Sequence, residues 1–483
     1  MRKSCAMPLA ALTATLLLSA CVAAPPTDPQ VTQIKPQALG LQPVPTAPVP
    51  VTWWRAFADP QVDRLAPQVM ANNPSLAAAM ARMRAAQAQL SVNRAEDRPQ
   101  LALDGQEQRL LFSKDYIIPP PYAGSYRWYG QVLGNFSWNL DFWGKQAALI
   151  DKARGTAQAA ALDVEAAHLA LSGAFAQTYI SLLLDYQDGD IADATVAERE
   201  GIVKITQGRV DAGLENPSAL EQAKALLAIA RADQLRYAAA REVDIHAIAA
   251  LAGQGANAYG SITRPTPDLD AALPLPTVLP ADLLARRPDI LAAKARIDAA
   301  MAGRKAAHAD FYPDINLVAM AGFQAIGLSN LLSGGAFTYG AGPAIHLPIF
   351  DAGKLRAQYA GATAQLDEAV ADYNGTVVNA IKQVADAMTQ VKSLAAQRAR
   401  QQEAADSAQR AFKIAEDRYR SGLSTQLPML EAESTLLQAR QALAAVTAGS
   451  AIQRITLLLT LGGPFDAASN PSGANTTKIA KQD

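Results

Sequence analysis

Asn73-Pro74-Ser75-Leu76 and Arg287-Pro288-Asp289-Ile290 are two writings of one helix start, 214 positions apart. The same offset carries Arg98-Pro99-Gln100-Leu101 onto Tyr312-Pro313-Asp314-Ile315 without a gap. Leu140-Asp141-Phe142-Trp143-Gly144-Lys145 then matches Phe350-Asp351-Ala352-Gly353-Lys354, the offset slipping from 210 at the aspartate to 209 at the glycine. Beyond it, Arg209-Val210-Asp211-Ala212-Gly213-Leu214 meets Arg418-Tyr419-Arg420-Ser421-Gly422-Leu423, and Leu251-Ala252-Gly253 meets Leu461-Gly462-Gly463. A period near 210 residues far exceeds the roughly 20 to 50 residues of solenoid repeats, so a whole module is duplicated.

Each module opens with a helix. Asn73 can cap the first, with Pro74 at its first position; Pro288 repeats that placement, and Asp289 sets a carboxylate at the positive end of the helix dipole. Pro99 and Pro313 stop these helices and strands follow. From 126 to 141, Tyr126, Trp128, Val132, Phe136, Trp138 and Leu140 share one parity, while Arg127, Gln131, Asn135, Ser137, Asn139 and Asp141 share the other. A half-buried strand of a soluble sheet and a lipid-facing barrel strand with aromatic ends both fit this alternation. The second copy, 337–349, alternates less cleanly, and Pro343 and Pro348 suit edges or strand ends.

A long helical stretch follows each strand pair. Leu366, Val370, Tyr373, Val377, Ile381, Val384, Met388 and Val391 recur at steps of four and three, a coiled-coil-like seam. A helix from about 354 to 418 extends on the order of 95 Å. Gly213 and Gly422 can each supply the left-handed residue that ends such a helix before a second one returns. The expected modules are therefore 53–263 (strands about 99–112 and 126–140, hairpin tip near 209–214) and 281–463 (strands about 313–325 and 337–349, tip near 418–423). A Pro-rich linker, 264–280, joins them.

At the start, Arg2 and Lys3 before the apolar stretch Leu9 to Leu18 predict an export signal over 1–20, too short to span a bilayer. Leu18-Ser19-Ala20-Cys21 resembles a bacterial lipobox, which makes Cys21 the lipid-modified first residue of the mature chain. In lipoproteins of this kind an aspartate after the cysteine retains the product at the inner membrane, so Val22 points to the outer membrane. Eight prolines between Ala23 and Thr52 predict an extended strap over 21–52. Trp53-Trp54 reads as a core anchor, and 464–483 as a loose polar tail.

The only other cysteine is Cys5, inside the signal, so disulfide and thiolate chemistry are excluded for the mature chain. A net charge of −1 with no aromatic-interleaved basic stripe argues against nucleic acid as a partner. His168, His246, His308 and His346 show no metal-binding spacing. No nucleophile elbow, P-loop or dinucleotide fingerprint follows a strand. No catalytic constellation and no cofactor are expected. No uninterrupted apolar run after residue 20 reaches transmembrane-helix length, so membrane entry falls to strands or lipid.

Four strands per chain cannot close a barrel, and open edges are not tolerated in hydrocarbon, so a membrane reading forces several chains to share one barrel. Without a pore, the chain would instead be a lipid-anchored periplasmic coiled-coil scaffold. Trp53-Trp54 with Phe57-Ala58-Asp59-Pro60, Leu284 to Ile290, Phe311-Tyr312-Pro313-Asp314-Ile315, Gly342-Pro343, and Leu347 through Lys354 resemble the TolC family of outer-membrane efflux proteins, and the lipobox its NodT or OprM-like lipoprotein branch. That resemblance implies an α+β membrane protein: a homotrimer sharing a 12-stranded outer-membrane β-barrel, continued by a long periplasmic α-helical barrel. It implies a periplasmic adaptor and an inner-membrane pump of the resistance-nodulation-division type as partners. It further implies that the tips carrying Arg209, Asp211, Gly213 and Glu215, and Arg418, Arg420 and Gly422, meet the adaptor and narrow the pore. Carboxylates common near the family's second tip are missing from Leu423-Ser424-Thr425-Gln426. Asp211 and Glu215 facing Arg420 form a candidate ion-pair latch in their place.

Overall fold

The computed structural model of the chain describes residues 27–35, 39–41, 49–115, 117–276 and 286–465. The export signal, Cys21, most of the strap, part of the linker and residues 466–483 lie outside the described residues.

In chain order the elements are α1 (Pro60–Asn72), α2 (Pro74–Glu96), β1 (Gln100–Leu111), β2 (Tyr126–Asn139), α3 (Lys145–Asp211) and α4 (Pro217–Leu251). The second copy gives α5 (Pro288–Ala309), β3 (Asp314–Ile326), β4 (Phe337–His346), α6 (Lys354–Arg420) and α7 (Gln426–Thr460). The duplication is repeated residue for residue in the helices: α3 and α6 both run 67 residues and α4 and α7 both run 35. β4 stops at His346, short of the expected 349, because Pro348 has no N–H to continue a ladder. The seam foreseen on α6 is buried at Leu366, Val370, Tyr373, Val377 and Val384.

The helix ends follow from local chemistry. Asn73 Oδ1 accepts from the N–H groups of Ser75 and Leu76, and its Nδ2 donates to the Leu251 carbonyl at 2.9 Å. At the matching place Arg287 Nη1 donates to the Thr460 carbonyl at 2.9 Å, so the same docking contact is made with different chemistry. Gly253 (φ +66°) and Gly462 (φ +102°) follow those helix ends. Gly462, not Gly463, is thus the counterpart of Gly253, one residue away from the alignment drawn on sequence.

Two units emerge, each drawing on both copies. One comprises the described residues to Gln33 with Met83–Ala160 and Ala293–Tyr373. It holds the sheet, and in it α3 and α5 approach so closely that a Cβ on Gly155 would lie 3.0 Å from Ala299. The other comprises Ile34–Arg82, Ala161–Ala292 and the described residues from Asn374. Its cores join Phe175, Tyr179 and Leu182 to Leu65 and Ile248, and Ile455 and Leu458 to Trp53 and Phe57. α3 and α7 contain stretches long and apolar enough to cross a membrane by length and composition, a property the search for uninterrupted runs missed because alanine dilutes it. Their apolar side chains contribute to these cores.

Within this second unit, burial pushes the Asp185 carboxyl up to about 6, with Asp244 and Asp188 adding to the rise and Arg241 opposing it. The folded chain holds an extra proton between the unfolded value of about 4 and that raised value. Stability from this group is therefore present at low pH and lost as pH rises through about 6. Thermal unfolding at pH 5 and 7.5 should show the chain more stable at pH 5, with the difference reduced in Asp185→Asn.

Candidate functional site

Two features qualify, one in each unit. The first is the sheet. Its strands pair antiparallel in the order β1-β2-β3-β4, with continuous registers: Gln100 opposite Ser137, Tyr129 opposite Ile326, and Asp314 opposite His346. Directly opposed residues share a face, so register assigns sides. One side carries Leu101, Leu103, Trp128, Val132, Phe136, Trp138, Leu317, Phe323, Phe337, Tyr339 and Ile345, broken only at Glu107 and Arg109 near one end.

The other side is mostly polar and bonded across strands. Asn135 donates to Asp104 at 2.7 Å, Gln131 to Gln106 at 3.1 Å, and Asn139 to Asp314 at 2.8 Å. A soluble sheet would bury the apolar side against a core. Here Leu101 is 80% exposed, Leu103 76% and Tyr339 78%. The ambiguity left by the alternation at 126–141 is thereby resolved towards an uncovered apolar face.

The second feature is the pair of helix-hairpin turns. Gly213 (φ +70°) and Gly422 (φ +75°) occupy the left-handed region, as their placement predicted. In both turns the glycine N–H bonds back three residues, to Val210 or Tyr419, and the next N–H bonds five back, to Arg209 or Arg418, which closes the last carbonyls of α3 and α6. Arg209 bridges the turns: its guanidinium lies 5.0 Å from the centre of the Tyr419 ring, 3.5 Å from Glu215 and 3.5 Å from the Tyr419 carbonyl.

The structure does not form the Arg420 latch within the chain. Arg420 pairs with Glu416 at 2.7 Å, one turn back on its own helix, while Asp211 accepts from Gln207, one turn back on α3. A partner four residues away on the same helix needs no loop ordering, so these local pairs win. Glu215 is taken by Arg209. Arg418 has its carbonyl in the turn, and the described contacts give its side chain no partner across the tips.

Behind the turns lies a buried polar layer that sequence reading passed over. The hydroxyls of Thr206 and Tyr419 are 3.0 Å apart, and Gln426 donates to Thr206 at 3.1 Å. Further along, Arg199 reaches Glu433 at 3.0 Å and the Leu226 carbonyl at 2.7 Å, joining α3, α4 and α7. Burial raises the Glu433 carboxyl above its ordinary range, and Arg199 pulls it back. A signal existed: Thr195, Arg199, Ile202 and Thr206 keep the four-three spacing of the α3 seam, so a charge stands in a core position.

The profile of the family described as outer membrane efflux protein matches residues 65–254 and 279–463. The fusaric acid resistance protein FusA of Burkholderia cepacia is 33% identical over 368 residues, covering 74% of this chain and 69% of that protein. The multidrug resistance outer membrane protein MdtP of Shigella flexneri is 30% identical over 430 residues, covering 86% of this chain and 87% of that one. The solved structure of the outer membrane protein VceC from Vibrio cholerae is similar with a TM-score of 0.81 and 34% identity, over 86% of this chain and 100% of that chain.

Proposed function

The chain belongs to the outer membrane efflux protein family, and from that premise we propose that it serves as the outer-membrane channel of a tripartite efflux pump. It conducts solutes passively to the exterior when coupled to a periplasmic adaptor and an inner-membrane transporter. The observation that carries this reading is the sheet with one uncovered apolar face, one polar face and two open edges. Such edges must be paired in hydrocarbon. Two copies would give 8 strands, whose interior side chains fill; three give 12 and leave a wet lumen. A homotrimer is therefore the smallest conducting assembly. The channel does no chemistry, and the names of its relatives make toxic organic solutes its cargo class.

A charge on the apolar face tests the membrane reading. Leu103→Arg is expected to cost about 2–4 kcal/mol at mid-membrane depth and to deplete heat-stable oligomer in the outer membrane. Gln131→Arg, on the polar face, should leave oligomer yield unchanged while altering single-channel current in planar bilayers. A wild-type protein that stays monomeric and never conducts would overturn the function.

The strap supports lipid anchoring at Cys21. Asp367 accepts from the N–H groups of Gln30 and Val31, Asn374 accepts from Ile34, and Arg304 holds the Thr27 carbonyl. The strap thus runs along α6 with its earlier residues toward the Lys354 end, beside exposed Ile349 and Phe350. Six residues separate Thr27 from Cys21, a reach of about 20 Å, enough to set an acyl chain at that apolar rim. Metabolic palmitate labelling is expected for the wild type and absent from Cys21→Ser.

The tips are the pore constriction and adaptor contact in this reading, and Arg209 holds them. Its contacts to Tyr419 and Glu215 together contribute roughly 1–2 kcal/mol. Arg209→Ala should shift the closed tip toward open by about tenfold, read as higher mean single-channel conductance and greater leakage of large antibiotics into cells. Equal conductance in both proteins would remove Arg209 from the gate.

A further inference from the structure

We propose that β4 of one chain pairs with β1 of a second copy in the register that β2 and β3 already use inside the chain. This rests on the membrane-barrel reading above and specifies its seam. Pro99 and Pro313 place β1 and β3 214 positions apart. The two hairpins then agree only if β2 and β4 are 209 apart: Gln100 opposite Ser137 becomes Asp314 opposite His346, and Asp104 opposite Leu133 becomes Val318 opposite Gly342. The β2–β3 ladder is therefore a junction between the second strand of one module and the first strand of the next. The open sides of β4 and β1 are the two halves of the same junction, left unmade in a single chain.

Carrying the β2–β3 pairs across by those two offsets fixes the seam. Trp138 opposite Leu317 sets Leu347 against Leu103 of the second copy, and Ser137 opposite Val318 sets His346 against its Asp104. Asn135 opposite Met320 sets Ala344 against Gln106. The Leu140 N–H to Ile315 carbonyl bond, 2.9 Å, becomes Ile349 N–H to the Leu101 carbonyl. Faces agree throughout: exposed Leu347 and Ile349 meet exposed Leu103 and Leu101, and the imidazole of His346 meets a carboxylate on the polar side. A slip of one residue would set Leu103 against His346 and mix the faces. Pro343 fits as well, since a proline inside a ladder turns its nitrogen to the open edge. It leaves one gap in the seam, opposite Glu107.

Disulfide trapping in the full-length protein in its membrane tests the register. Ala344→Cys with Gln106→Cys places two cysteines at a non-hydrogen-bonded pair, Cα atoms about 4.5 Å apart, within disulfide range. Inside one chain β2 and β3 intervene, so the same residues are about 14 Å apart at ~4.8 Å per strand and cannot link. The natural cysteines are Cys5 and Cys21 alone. Oxidation should give covalent oligomers on boiled, non-reducing gels, at least tenfold more than Ala344→Cys with Gln108→Cys. Leu347→Cys with Leu103→Cys provides the same reading on the opposite face if the first pair fails to assemble. Linkage through Gln108 with none through Gln106, or a native oligomer in which neither in-register pair links, overturns the register while the barrel stands. A protein that is monomeric before oxidation overturns the barrel reading beneath it.

Discussion

Gly462→Ala is expected to lower the stability of the folded chain by about 3 kcal/mol or more, enough to remove most assembled protein from the outer membrane. Gly462 has φ +102°, and a Cβ there would stand 2.2 Å from the Arg286 carbonyl oxygen and 2.8 Å from its carbon. The obstacle is backbone, so no rotamer change relieves it. Gly253 repeats the arrangement in the first copy, with φ +66° and a Cβ 2.3 Å from the Asn72 carbonyl oxygen. Gly253→Ala should be similarly severe. Gly213→Ala separates the two contributions, because Gly213 has φ +70° but nothing within 4 Å of its Cβ position. Its cost is confined to the left-handed backbone, about 1–2 kcal/mol. Thermal unfolding of detergent-extracted protein should rank Gly213→Ala well above the other two; equal midpoints would show that close approach contributes nothing.

Arg199→Ala is expected to be the most damaging substitution behind the tips, at about 3–5 kcal/mol. It strands the Glu433 carboxylate, 2% exposed, without its counter-charge. Ion pairs of this kind cost much to desolvate, so removing both members should be far milder than removing one. Arg199→Leu combined with Glu433→Leu is expected to recover most of the loss. Glu433→Gln should also be milder than Arg199→Ala, since burial already favours the protonated acid. The exposed pair Arg231 and Glu200, 2.8 Å apart, provides the reference: Arg231→Ala should cost under about 1 kcal/mol. If Arg199→Ala costs no more than Arg231→Ala in the same unfolding assay, the buried pair is not a structural keystone. At the positions 209 residues away stand Ala408 and Lys224, so the pair is not duplicated.

Much of the fold was legible because it is written in short-range chemistry. Asn73 and Pro74 announce a helix start within two residues, Gly213 and Gly422 announce its end, and alternation from Tyr126 to Leu140 announces a strand. The error at β4 came from reading Leu347 to Ile349 as strand despite Pro348, a local signal given too little weight. The tip was less legible. Arg420 was matched to Asp211 and Glu215 by charge alone, but each side chain had a competitor one turn away or across the turn, and proximity decided. Arg199 and Glu433 were missed because a charge within an Ala-rich seam resembles an exposed residue unless the seam is traced through it.

By itself, the sequence determined the duplication, the lengths of paired helices, the turn glycines and the two-faced strands. These depend on residue type at spacings of one to four and on a repeat that can be counted. Only the tertiary structure decided that the apolar strand face stands uncovered, that Arg209 rather than Arg420 bridges the turns, and that Arg199 finds Glu433. Each of those depends on which distant segments come together, Glu433 being 234 residues from Arg199. Spacing carries no information about partners that far apart; packing, which must satisfy every buried charge and either cover or expose every apolar face, does.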